Sequence, residues 1–60
     1  MAWKFEVYAD SGGKYRWRLK AGNGQTVASS GESFESKSNA TAAAENVKEN
    51  AGNATVEDAD

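Results

Sequence analysis

Sixty residues with a net charge of −2, no cysteine and no proline make one small domain without disulfides. The absence of histidine removes the commonest general base and the commonest metal ligand, and no apolar run approaches the length of a membrane span. No segment of charged, then apolar, then small residues opens the chain, so the expectation is a cytoplasmic domain without a membrane partner.

The first element is predicted over residues 3–9. Strict alternation there places Trp3, Phe5 and Val7 on one face, and Lys4, Glu6 and Tyr8 on the other, the signature of a half-buried strand. Asp10-Ser11-Gly12-Gly13 supplies turn chemistry. Alternation resumes over residues 14–21. Tyr15, Trp17, Leu19 and Ala21 share the core face, and Lys14, Arg16, Arg18 and Lys20 share the other. In the preferred antiparallel register of these two strands, Glu6 faces Arg18, Tyr8 faces Arg16 and Lys4 faces Lys20.

Gly22-Asn23-Gly24 is a hairpin signal with two competing registers. A two-residue loop pairs Leu19 with Ala28 and turns Val27 outward. A three-residue loop with a left-handed Gly24 pairs Leu19 with Val27 and buries both. The burial of Val27 favours the second, with a third strand over residues 25–30. Phe34 anchors the connection that follows. Ser36 is a helix N-cap by residue type, and Ala40, Ala43, Ala44, Val47 and Ala51 recur at helical spacing. The helix is expected over residues 37–50, stopped by a left-handed Gly52. An alanine-surfaced helix approaches a sheet closely, leaving Trp3, Phe5, Trp17 and Phe34 to fill the gap. By propensity alone, Asn53–Asp60 is a frayed tail in which Thr55-Val56-Glu57 could form a short strand.

This is a β-β-β-α pattern with little bulk in its second half, where only Val47 and Val56 follow Phe34. Domains below about 70–80 residues usually need a disulfide, a metal, a partner chain or very good packing. The first two are missing, so association is the support that remains. Charge is divided: residues 1–30 carry +3 and residues 31–60 carry −5.

The run Tyr15-Arg16-Trp17-Arg18-Leu19-Lys20-Ala21-Gly22-Asn23-Gly24, with Phe5-Glu6-Val7-Tyr8, Ser36-Lys37 and Val47-Lys48-Glu49-Asn50, resembles the repeat of the YegP-like family of small uncharacterised proteins. Ala44 departs from the pattern, which more often has a bulkier aliphatic residue there. The resemblance implies an α+β unit, β-β-β-α-β: a three-stranded antiparallel sheet, one helix on one face and a short C-terminal strand. It also implies a homodimer that exchanges that strand, Ala54, Thr55, Val56 and Glu57 at residues 54–57. It implies no activity and no catalytic residues.

Two functional readings follow from the residues; a third, a small-ligand binder at the dimer seam, rests only on the expected seam itself. The first is a non-enzymatic homodimeric module, with protein interaction as its role and its protein partner unidentified. The second is a nucleic-acid-binding module that uses Lys4, Tyr8, Lys14, Arg16, Arg18 and Lys20 on the open sheet face. Cationic faces bind phosphate backbones by counterion release, but single strands usually also need exposed aromatics, and only Tyr8 lies on this face. No cofactor or metal is expected: Gly22-Asn23-Gly24 leads into a strand, and Glu57, Asp58 and Asp60 lack the spacing of a calcium loop. No nucleophile–base constellation is visible, so no enzymatic activity is expected.

Overall fold

A computed structural model of the chain describes residues 2–60; Met1, one of the large apolar residues, lies outside them. The element order is β1 (Lys4–Ala9), β2 (Tyr15–Lys20), β3 (Thr26–Ser29) and α1 (Lys37–Ala51). The strands form one antiparallel sheet in the order β1-β2-β3, so β1 and β3 are its edges. The β1–β2 register is the one expected from alternation, with Lys4 opposite Lys20, Glu6 opposite Arg18 and Tyr8 opposite Arg16.

Both hairpin loops have the same construction. Asp10 N–H donates to Lys14 O and Gly13 N–H to Asp10 O; Ala21 N–H donates to Gln25 O and Gly24 N–H to Ala21 O. Each three-residue loop ends on a left-handed glycine, Gly13 at φ 81° and Gly24 at φ 90°. That geometry is open to glycine because it has no Cβ to clash. Asp10 Oδ1 accepts from the Gly12 and Lys14 amides, and Asn23 Oδ1 from the Gln25 amide, which pins both turns.

The loop at Gly24 is therefore the three-residue form, but the expected pairing of Leu19 with Val27 is overturned. The register shifts between Leu19 and Lys20: Lys20 lies opposite Thr26, and Leu19 opposite Ala28. Val27 is the extra residue of a β-bulge and stays 47% exposed. Past the bulge, Ser30 N–H donates to Trp17 O, and Trp17 N–H donates to Ser30 Oγ at 3.2 Å. A side chain thus takes over from a backbone acceptor where the ladder ends. Phe34 returns to pair with Tyr15 through two backbone bonds of 2.8 and 2.9 Å, which delivers the chain to the start of α1.

Ser36 caps α1 as expected: its backbone is extended and its hydroxyl accepts from Asn39 N–H. Gly52 does not stop the helix in the left-handed form. It stays right-handed at φ −65°, and the last turn tightens through Asn53 N–H to Asn50 O and Ala54 N–H to Ala51 O. The core is thin. Ala40 and Ala44 are buried against the sheet, Trp17 is the most enclosed large residue, and Phe5 meets Trp17 edge-on at 5.5 Å. α1 packs on β1 and β2 but not β3. Trp3, expected in the core, is 59% exposed, since among the described residues no element lies beyond the β1 edge to cover it. In the single chain residues 54–60 form no strand, and Val56 is fully exposed.

Candidate functional site

Two surfaces carry what chemistry the chain has. One is the sheet face turned away from α1. Alternation along β1 and β2 brings Lys4, Tyr8, Arg16, Arg18 and Lys20 together there, as expected, with Lys14 at its margin in the first turn. These cations do not present a bare positive field. Arg18 Nε donates to Glu6 Oε1 at 2.8 Å, Lys20 Nζ lies 3.7 Å from the same oxygen, and Lys4 Nζ lies 3.4 Å from Glu6 Oε2. Arg16 Nε donates to Asp10 Oδ2 at 3.0 Å. Lys14 Nζ pairs with Glu35, which ties the first turn to the entry of α1. The guanidinium of Arg18 also stacks over Tyr8, 4.4 Å from the ring centre, covering the aromatic that a nucleobase would need.

The electrostatics follow from those contacts. The hydrogen bond from Arg18, helped by the charge of Lys20 and the polar contact with Lys4, holds the Glu6 carboxyl below its ordinary range. Asp10 is lowered by the Lys14 amide first, then by Arg16 and the Gly12 amide. Both acids are ionised at neutral pH and each cancels charge on the face. Glu6 was legible from its place opposite Arg18. Asp10 read as a turn residue, and Glu35 lies too far along the chain for any local pattern to assign it.

The second surface was not expected. A cleft of about 340 Å³ runs between the β1 edge and α1, lined by Trp3, Phe5 and Val7 on one side, Thr41, Ala44 and Glu45 on the other, with Lys4 and Lys48 at its rim. Its signal was present: positions 41, 44, 45 and 48 form one helical stripe beside the alanine stripe. Glu45 and Lys48 are charged and belong by pattern to the face opposite the alanine stripe, and Thr41 carries no signal of its own. The cleft exists because Ala44 keeps the helix side short while β1 has no neighbour on its other edge.

The β-β-β-α order, with one helix packed on one face of a three-stranded antiparallel sheet, makes this a small α+β domain. Residues 10–58 match the model of the family described as Domain of unknown function (DUF1508), and the chain belongs to that family. It is 50% identical over 56 residues to a UPF0339 protein of Treponema denticola, covering 93% of this chain and 95% of that one. A solution NMR structure of a protein from Haloferax volcanii superposes with a TM-score of 0.85 at 47% identity, covering 95% of both chains. That of protein ATU0232 from Agrobacterium tumefaciens does so with a TM-score of 0.73 at 43% identity, covering 95% and 90%. The YegP-like resemblance and the three-stranded sheet with one helix are thus established, and the family description names no activity. No helix among the described residues is long and apolar enough to cross a membrane.

Proposed function

We propose that the domain is a non-enzymatic, homodimeric interaction module in which Ala54–Glu57 of each copy pairs with the β1 edge of the other. The observation that carries this reading is the β1 edge itself. It is six residues long, carries no bulge, and is flanked by an apolar cleft. Long regular edges of this kind are ready templates for another strand. The opposite edge is different: β3 has four residues and is broken by the bulge at Val27, a device that discourages pairing.

Surface area supports the same reading. The chain exposes 4647 Å², whereas a compact monomer of 6.4 kDa exposes roughly 3,800 Å². The surplus is about the 800 Å² that one partner contributes to a standard interface. The segment offered for exchange is the part of the chain with no packing of its own, and its apolar residue, Val56, has no cover. Nucleic-acid binding has less support: each of the five cations proposed for it already touches a carboxylate.

Light scattering tests the proposal. The expected molar mass is twice the 6.4 kDa of one chain at micromolar concentration. Val56→Asp is expected to give the single-chain mass, because a charge would then face the cleft. A wild-type chain that stays at the single-chain mass, or a dimer indifferent to Val56→Asp, refutes it.

A further inference from the structure

We propose that Glu57 of one copy pairs with Lys4 of the other on the outer sheet face, and that this contact sets the register of the exchanged strand. The inference rests on the exchange proposed above. Side chains alternate along a strand, so once Val56 enters the cleft, Thr55 and Glu57 point to the opposite face. The outer positions offered by β1 are Lys4, Glu6 and Tyr8. A carboxylate beside Glu6 meets a like charge, which is destabilising across strands. Tyr8 already carries the Arg18 guanidinium on its ring. Lys4 is left, and it is the cation with capacity to spare. Its side chain is 68% exposed, and its contact, at 3.4 Å, is to a carboxylate that also serves Arg18 and Lys20. Three cations share one acid, and Glu57 brings the second. A slip of one residue puts Glu57 in the cleft and Val56 in water. A slip of two places Glu57 next to Glu6 or beyond Lys4, the one cation of β1.

A zero-length carbodiimide cross-link tests this on the full chain. The reagent joins a lysine amine to a touching carboxylate as an amide. Equal amounts of ¹⁴N and ¹⁵N chains are unfolded together in denaturant, refolded, cross-linked and digested, and the peptides are weighed. The expected product is a Lys4–Glu57 peptide of mixed isotope content, beside a Lys14–Glu35 peptide of uniform content as the internal control. A Lys14–Glu35 product with no Lys4–Glu57 product, from a chain shown to be a dimer by mass, overturns the register and leaves the exchange standing. A Lys4–Glu57 product of uniform isotope content only shows the tail docking on its own chain and overturns both.

A double-mutant cycle provides the second measurement. Lys4→Gln and Glu57→Gln each raise the dimer dissociation constant about 2- to 30-fold, counting two symmetry-related pairs. The double variant is expected to be no weaker than either single one. Losses that simply multiply refute the contact.

Discussion

Replacing Ala40 and Ala44 by leucine, one at a time, separates the closed part of the helix–sheet interface from the open part. Both are alanines on the same helical stripe, four residues apart, and both are buried. Ala40 has no accessible surface. Three extra carbons there have nowhere to go and force the helix off the sheet, at a cost of about 1–3 kcal/mol. Ala44 lines the cleft. Each buried methylene contributes about 0.8 kcal/mol, and leucine loses about 0.5–1 kcal/mol of rotamer freedom. With one side of the cleft open to water, the net gain is about 1 kcal/mol. In a domain this small, 1 kcal/mol moves Tm by about 4–8 °C. Thermal unfolding of both variants in the Val56→Asp background, where association does not contribute, should therefore show Ala40→Leu melting lower and Ala44→Leu melting higher than their parent. In the otherwise wild-type chain, Ala44→Leu occupies the space proposed for Val56 and should weaken the dimer. Equal destabilisation by the two substitutions would mean that the cleft is not usable space, and the argument from it fails.

Acid should act through the outer face. Glu6 and Asp10 are held below their ordinary values of 4.5 and 3.8, so the stability they add is complete above those values and is lost as pH falls through the lowered ones. Urea midpoints should be flat from neutral pH downward and fall below about pH 4.5, with a shallower fall in Glu6→Gln/Asp10→Asn; an unchanged acid slope in that variant refutes the assignment. Gly24 and Gly31 both face open space, but only Gly24 has positive φ. Gly24→Ala should cost about 1 kcal/mol or more, and Gly31→Ala should gain about 0.4–1 kcal/mol, both read by chemical denaturation; matching effects would show that backbone conformation does not decide these sites. Single-stranded oligonucleotide should bind no more tightly at low salt than at physiological salt. Salt-sensitive binding that disappears in Arg16→Glu/Arg18→Glu would return function to that face.

Where side chains alternate without interruption, the sequence was a reliable guide. Charged and apolar residues change places at every step from Lys14 to Lys20, which fixes the inward face, and the three-residue turn ending on Gly13 selects among the registers that keep it, giving the one observed. Ser36 and the left-handed Gly24 were legible for a similar reason: each supplies a conformation or an acceptor that few residues can. The bulge at Val27 was not legible. Apolar burial argued for Val27 inward, and nothing in Gln25-Thr26-Val27-Ala28-Ser29 marks one residue as extra. Past the bulge the chain meets partners distant in sequence, Ser30 with Trp17 and Phe34 with Tyr15, and such pairings leave no local mark. The cleft was hidden in the same way. Its helix side is polar by composition, and it becomes a site through what β1 lacks, which no local pattern encodes. The basic stripe misled in the opposite sense. Its residues were placed correctly, but its charge is set by Glu6, Asp10 and Glu35, two of which lie outside the strands.

The thin core and the open edge have one physical cause. No bulky side chain is wholly enclosed among the described residues, because the helix presents alanine to the sheet and covers two strands of three. The same short side chain at Ala44 that lets α1 sit close to β2 leaves β1 flanked by a cleft. A larger residue there would fill the cleft and close the place proposed for a second copy's strand. Stability and association are therefore coupled in the proposed dimer: whatever fills the cleft binds the folded chain and not the unfolded one, so it raises stability by mass action. The Tm of the wild-type chain should then climb with protein concentration, while that of Val56→Asp should not. A concentration-independent Tm for both would show that the fold closes on its own core, and the exposed Trp3 and Val56 would need another explanation.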